Sequence, residues 1–386
     1  MKILFITEKY PPIVVSGNRV YNLVKNLNKK HKITVFTRSK NRWFFPMPVD
    51  YNISQIKNLN KIHFNISDNF LLLPIMGLFK LGLISNSKFY FNSGKKVILK
   101  NKDLFSNFDI VVASGPSWHA FYLAEYLFDN FNLPYILDYR DPWISKNKNE
   151  VKIQKRIINK AKKVVTVTDF CVDQIKEINN YKNKINLIEN GVNLDIFEKY
   201  YKNKSKPDKL YIGYAGTFAN YQGFNDLLIA IDSLPKDIKK NIFLEVCGKD
   251  FNNKYRDLAK KKNIVSKFYG HVSQEKMGQI LSKCDFLYCG HKIYNAVGGK
   301  IYTYLGLNKP ILLNSKKDSQ LDLEFKRNKL GRVSYSIKGL SENIKQIYID
   351  KKNKKIKKYD LQKYIKNFDW SNLAKKYDKL IGDVKK

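Results

Sequence analysis

The sequence predicts an α/β protein made of two doubly wound parallel sheets. Three observations carry this expectation. Apolar runs of strand length alternate with segments of helical period from residue 2 to about residue 189. The alternation stops at a Lys-rich stretch ending at Pro207 and then begins again. Finally, 386 residues suit two domains at roughly 150 residues each.

The elements follow in order. Lys2–Thr7 is apolar and bounded by a Pro-containing loop, Glu8–Gly17, so it reads as a buried strand. Val20, Leu23, Val24 and Leu27 recur at helical spacing over 18–28, and 33–36 reads as the next strand. Strand, helix and strand at this length make a βαβ unit. Strands are then expected at 109–113, 134–137, 164–167 and 185–188, with helices at 118–128 and 170–178. In the second half strands are expected at 210–215, 243–247, 267–269, 286–288 and 311–313, with a helix at 224–231. A basic amphipathic helix over 369–384 ends the chain. Residues 71–102 interrupt the first alternation with an apolar run followed by lysines. They read either as surface helices with a basic border suited to an anionic interface, or as helices covering the sheet.

Composition narrows the partners. Lys and Arg number 71 against 34 Asp and Glu, a net charge of +37, yet only eight of the cations are Arg. Drift toward Lys in an AT-rich genome and selected attraction to an anionic partner both account for the excess. The chain carries no zinc-finger, KH or RNP signature, and Lys without Arg reads bases poorly, so nucleic acid is not expected as a partner. The longest apolar run, 70–84, is interrupted by Pro74, Gly77, Lys80 and Gly82 and falls short of the ~20 residues of a spanning helix. No signal-peptide pattern follows Met1, and the four cysteines suit reduced thiols, so a cytoplasmic, peripheral protein is expected.

In a doubly wound sheet, ligands bind beyond the carboxyl ends of the strands, and two such domains place a cleft between them. The residues just after each strand are therefore the candidates. After the first strand come Glu8, Gly17 and Arg19. Ser114-Gly115-Pro116-Ser117-Trp118-His119 reads as strand, tight turn and helix start, with Ser117 as the N-cap and His119 in the first helical turn. Asp138-Tyr139-Arg140-Asp141-Pro142-Trp143 sets three charges at a strand end, either to bind a polar ligand or to fix the loop internally. In the second half, Gly216 and Thr217 end one strand and Lys249 follows another. Gly298 and Gly299 precede a helix that carries Lys300 and Thr303. Exposed N–H groups there suit a diphosphate, and the lysine is unfavourable at that helix end unless an anion binds.

Several of these motifs together resemble the retaining family 4 glycosyltransferases of the GT-B fold. Tyr10-Pro11-Pro12 with Gly17 and Arg19 is similar to that family's first strand and loop. The 114–119 run resembles its "PP.S.H" helix start, and 138–143 resembles the "DFRDPW" of a branch acting on surface polysaccharides. Residues 189–193 (Glu-Asn-Gly-Val-Asn) resemble its "NGVD" hinge, 298–306 its "PGKLYEYLA", and Phe368-Asp369-Trp370 its "fsW". The resemblance implies an acceptor domain over 1–189, onto which the helix 369–386 returns, and a donor domain over 190–368. It implies a nucleotide-sugar co-substrate and no metal, with a glycan or lipid-linked acceptor expected, while the charge excess, concentrated at 71–102 and in the last helix, points to an anionic membrane surface. His119, Asp138, Arg140 and Asp141 would serve catalysis. Gly17, Gly216, Thr217, Lys249, Gly298, Gly299, Lys300 and Thr303 would hold the donor, and Glu8, Arg19 and Trp143 the acceptor. Thr217 stands where relatives commonly carry Arg, Gln222 where they often carry Lys, and Asn295 and Thr303 where they carry a Glu-x7-Glu pair. The second class of function is thus a non-enzymatic binding or partner subunit of a glycan assembly complex.

Overall fold

A computed structural model of the chain describes residues 1–11, 18–39, 56–64, 86–178, 182–201, 209–219, 222–291, 299–357 and 359–385. The chain divides into two compact units. One comprises Met1–Glu189 with Trp370–Lys386, and the other Asn190–Asp369.

The first unit holds a seven-stranded parallel sheet in the order β3-β2-β1-β4-β5-β6-β7. Its strands are β1 (Lys2–Thr7), β2 (Lys32–Arg38), β3 (Asn60–Phe64), β4 (Ile110–Gly115), β5 (Tyr135–Tyr139), β6 (Lys163–Thr166) and β7 (Ile185–Leu187). The principal helices are α1 (Asn18–Leu27), α2 (Asn86–Lys100), α3 (His119–Phe131), α4 (Lys148–Lys160), α5 (Asp169–Ile178) and the C-terminal helix Trp370–Lys385. The central strands are buried on both faces, which is why they read as continuous apolar runs. One face packs Phe36, Leu137 and Tyr139 under α2, α3 and α4, with Phe121 of α3 in the same cluster. The other packs Ile3, Phe5 and Val112 against α1 and against Trp370, Leu373, Tyr377 and Ile381 of the C-terminal helix.

The second unit repeats the plan with six parallel strands in the order β10-β9-β8-β11-β12-β13. These are β8 (Leu210–Ala215), β9 (Ile242–Cys247), β10 (Val265–Phe268), β11 (Phe286–His291), β12 (Ile311–Ser315) and β13 (Gly331–Ser334). Its principal helices are α6 (Phe224–Asp232), α7 (Lys254–Lys261), α8 (Gln274–Leu281), α9 (Gly299–Gly306), α10 (Gln320–Asn328) and α11 (Ile337–Lys352). The C-terminal helix of the first unit is α12. In each sheet the order reverses beside the first strand, between β1 and β4 and between β8 and β11. These are the switch points where this fold opens a crevice.

Three local expectations need correction. Ser114 and Gly115 belong to β4, and Asp138 and Tyr139 to β5, where loops were expected. The strands run on because the Asp138 charge is neutralised inside the protein. Ser117 does not cap α3 with its side chain: the cap position is Trp118, and the Ser117 hydroxyl meets His119 instead. Edge strands β3 and β13 escaped the sequence reading because half-exposed positions carry Lys61, His63 and Arg332 among the apolar residues. Of the 71–102 interruption, the described part is mostly α2, whose inner face lies on the sheet through Tyr90 and Ile98. The apolar run 71–85 lies outside the described residues, as do Gly17 and Gly298. Among the described residues no helix is long and apolar enough to cross a membrane.

Candidate active site

In the second unit the site is built on the end of β8. Tyr304 of α9 straps this strand end: its hydroxyl accepts from the Ala215 N–H at 2.7 Å and donates to the Ala215 carbonyl at 3.1 Å. The chain then turns at Gly216 with φ +133°, a region closed to most side chains. A Cβ there would also meet Lys300 Cε at 2.9 Å. The glycine is therefore what lets Lys300 lie against the strand end.

Lys300 sits in the first turn of α9, just after Gly299, around which a side chain would find open space. Its Nζ donates to Gln222 Oε1 at 2.6 Å and lies 4.2 Å from the centroid of the Tyr214 ring. Gln222 in turn donates to Thr217 Oγ1 at 3.0 Å, and the Tyr214 hydroxyl is 2.7 Å from Gln222 Oε1. Burial lowers the Lys300 ammonium to about 8, and among the described residues no carboxylate forms an ion pair with it. An enclosed cation with one neutral hydrogen-bond acceptor and an aromatic face is a half-finished anion site. The structure thus brings Gly216, Thr217 and Lys300 together around Gln222, with Gly299 next to Lys300 in the chain. Thr303 follows one turn later in α9 and is half-buried. Lys249 is exposed, two residues past β9. Tyr214 and Tyr304 were missed because an aromatic in a strand or helix reads as core.

In the first unit the carboxyl ends of the strands are in register, with Thr7 beside Thr37 and Ser114, and Ser114 beside Asp138. Asp138 is almost fully buried and is held from two sides. Arg19 of α1 grips it through Nε at 3.1 Å and Nη2 at 2.9 Å, and the Ser114 hydroxyl donates at 2.7 Å. The same guanidinium donates to the carbonyls of Ile188 and Glu189 at 2.9 and 2.7 Å. Arg19, expected on the acceptor side, therefore clamps α1, β5 and the segment after β7 together. Arg140, also buried, donates through Nε to the Gly115 carbonyl at 2.7 Å and through Nη2 to the Pro116 carbonyl at 2.5 Å. Burial lowers its pKa while Asp138 and Asp141 oppose the shift. Asp141 is exposed. Trp143 is buried and stacked on Trp118, centroids 4.8 Å apart and planes within 9°. The 138–143 run is thus braced at two separate points, Asp138 by the Arg19 and Ser114 side chains and Arg140 by the Gly115 and Pro116 carbonyls.

His119 opens α3 and has no solvent exposure. Its Nδ1 is 3.2 Å from Ser117 Oγ, and its Nε2 has no hydrogen-bond partner. Burial lowers its pKa to about 3, with the Arg38 charge adding to the shift, so the ring is neutral at physiological pH. Glu8 is largely buried, with Oε1 3.8 Å from Arg38 Nη1. Arg38 itself carried no sequence signal, since a cation at the end of a short strand reads as a solvated end. Among the described residues no group of three or more His, Cys, Asp or Glu side chains is placed to hold a metal ion.

The sequence matches two family models in succession: Glycosyltransferase Family 4 over residues 16–196, and Glycosyl transferases group 1 over residues 195–363. No curated protein sequence matches it significantly. Solved structures share its fold along the whole chain. Anabaena Alr3699/HepE, solved in complex with UDP and glucose, has 13% identity, covers 99% of this chain and 100% of its own, and superposes with a TM-score of 0.70. Sucrose-phosphate synthase from Thermosynechococcus elongatus has 15% identity, coverage of 99% and 98%, and a TM-score of 0.74. WaaG, a glycosyltransferase involved in lipopolysaccharide biosynthesis, has 15% identity, coverage of 98% and 99%, and a TM-score of 0.63. Two parallel α/β sheets, with two glycosyltransferase family models matched in succession along the chain, make this chain a family 4-like glycosyltransferase with the GT-B fold.

Proposed function

We propose that this protein transfers a sugar, with retention at the anomeric carbon and without a metal, from a nucleotide-sugar donor to a glycan or lipid-linked acceptor of a bacterial surface polysaccharide. The observation that carries the donor side is Lys300, an enclosed ammonium with Gln222 and the Tyr214 ring around it and no acid paired to it among the described residues. A diphosphate at the start of α9 supplies the missing charge. There the lysine and the helix N–H groups stabilise the leaving group as its negative charge develops. Gly216, Thr217, Gly299 and Thr303 line the same place on this reading, and Lys249 serves the donor from the same unit. In the first unit His119 meets the transferred sugar, and Glu8 faces the acceptor. Asp138, Arg140, Arg19 and Trp143 hold that wall in shape. UDP in the Anabaena structure is consistent with a uridine donor here.

The experiment is a titration with UDP and GDP followed by thermal unfolding, then a mass-spectrometric screen of nucleotide sugars. A ligand at hundredfold excess over its Kd raises stability by about 2.7 kcal/mol. The expected result is a shift with one diphosphate and turnover of one of its sugars. No shift with either would refute the donor reading. A shift without turnover of any sugar would favour the second reading, a binding subunit. Thr217, Gln222 and Thr303, at positions where relatives carry Arg, Lys and Glu, speak for that reading.

On the same reading the protein is peripheral at the inner face of the membrane, which the charge excess and the exposed face of α2 support. α2 and the short helix after it expose Lys88, Lys96, Lys100 and Lys102, with Leu99 44% and Leu104 48% exposed among them. Cations beside apolar tips suit an anionic bilayer. Cosedimentation with phosphatidylglycerol vesicles, and release by salt, is the expected behaviour. Equal binding to phosphatidylcholine would refute it.

A further inference from the structure

The segment that interrupts the first alternation does more than cover the sheet. α2 places Ser87 and Tyr90 three residues apart, on one face of the helix, and that face meets His119. Ser87 Oγ is 3.3 Å from Ser117 Oγ, and Ser117 Oγ is 3.2 Å from His119 Nδ1. The imidazole ring packs edge-on against the rings of Phe64 at 5.4 Å and Tyr90 at 5.3 Å, which are 6.5 Å from each other, so the three rings form a triangle. Tyr90 is fixed in its turn. Its hydroxyl accepts from Arg38 Nη1 at 3.0 Å, and the Arg38 guanidinium lies 5.2 Å from the centroid of its ring. Every member except the serines is at least nine-tenths buried.

A buried polar atom without a partner is uncommon, and His119 Nε2 is one of those among the described residues. The other ring nitrogen meets the Ser117 hydroxyl, which can donate or accept, and the Ser87 hydroxyl stands behind it, so the tautomer of the neutral ring is coupled to the direction of this hydroxyl chain. The arrangement therefore fixes the orientation of the ring, and the serine pair is the group that can set the sense of the hydrogen bond at Nε2.

We propose that α2 belongs to the reaction centre: Ser87, Tyr90, Ser117 and Arg38 are positioning residues that hold His119 in one orientation and one tautomer, so that Nε2 meets a hydroxyl of the transferred sugar. This rests on the reading above that His119 faces the sugar. The four residues touch no substrate themselves. They act through the ring.

The test reads the ring directly. The full chain is labelled with nitrogen-15 histidine, and the His119 signals are identified by their loss in His119→Gln. The wild type is expected to show one neutral tautomer throughout about pH 5 to pH 9. Ser117→Ala is expected to give a mixture of tautomers, and with it a roughly tenfold loss of kcat with little change in donor KM. Ser117→Thr keeps the hydroxyl and is expected to restore both. Ser87→Ala and Tyr90→Phe are expected to shift the tautomer ratio less, and they serve if the alanine at 117 does not fold. An unchanged tautomer ratio in all three of Ser117→Ala, Ser87→Ala and Tyr90→Phe would overturn the proposal. Adding UDP-glucose tests the underlying reading separately. A moved Nε2 signal supports it, and an unmoved one overturns the sugar contact, while the tautomer ratio still decides the positioning role.

Discussion

Raising the pH should release a nucleoside diphosphate from this protein through one lysine. Lys300 titrates near 8 because burial around the Tyr214 ring and Gln222 disfavours its charge. An ammonium of that pKa is about nine-tenths charged at pH 7 and about one-tenth charged at pH 9, so the binding-competent form falls about tenfold, or about 1.4 kcal/mol. The diphosphate itself is fully ionised above neutrality and the bound lysine stays protonated, so the slope belongs to the free protein. Isothermal titration calorimetry with UDP or GDP, whichever binds, should give a Kd that weakens about tenfold between pH 7 and pH 9. Lys300→Arg keeps its charge over this range, and its profile should be flat apart from any titration of the base, which both proteins share. Lys300→Met should bind weakly at every pH. Parallel profiles for the wild type and Lys300→Arg would refute the reasoning. Without ligand the same shift acts on stability in the opposite sense. The unfolded chain keeps this lysine charged up to its ordinary value of 10.5, so the burial penalty is fully present below about pH 8 and is relieved as pH rises toward 10.5.

Three further outcomes are expected. Arg19→Met leaves the buried Asp138 carboxylate without its guanidinium and should cost about 3 kcal/mol, seen as a lower urea midpoint of the first unit. Tyr304→Phe removes both hydrogen bonds to Ala215 and should cost about 1 to 2 kcal/mol in the second unit, with weaker diphosphate binding as the strand end loosens. Gly216→Ala forces a Cβ against Lys300 Cε at a backbone angle alanine resists. It should cost about 1 to 3 kcal/mol and lower diphosphate affinity, and unchanged affinity by calorimetry would show that Lys300 does not need that turn.

The sequence by itself determined the class of fold. Strands buried on both faces leave unbroken apolar runs, so β1 and β8 are legible to the residue, while β4 and β11 run two and three residues beyond the apolar runs that mark them. Helices that cover a sheet leave a period, as α1 does. Glycine before a helix and a lysine inside it also marked Lys300 without any coordinates. What tertiary structure alone decided is which polar groups meet. Asp138 finds Arg19 across 119 residues, and Gln222 finds Lys300 across 78. These partners meet because strands far apart in the chain end side by side, and no local pattern encodes that. The same cause separates the charges of the 138–143 run. Read along the chain they form one network, but β5 carries Asp138 toward α1 while Arg140 turns to the Gly115 and Pro116 carbonyls. Tyr90 and Ser87 reach His119 for a like reason: an inserted helix packs on α3, at Gly94 against Leu123, and so enters the strand ends it interrupted in sequence.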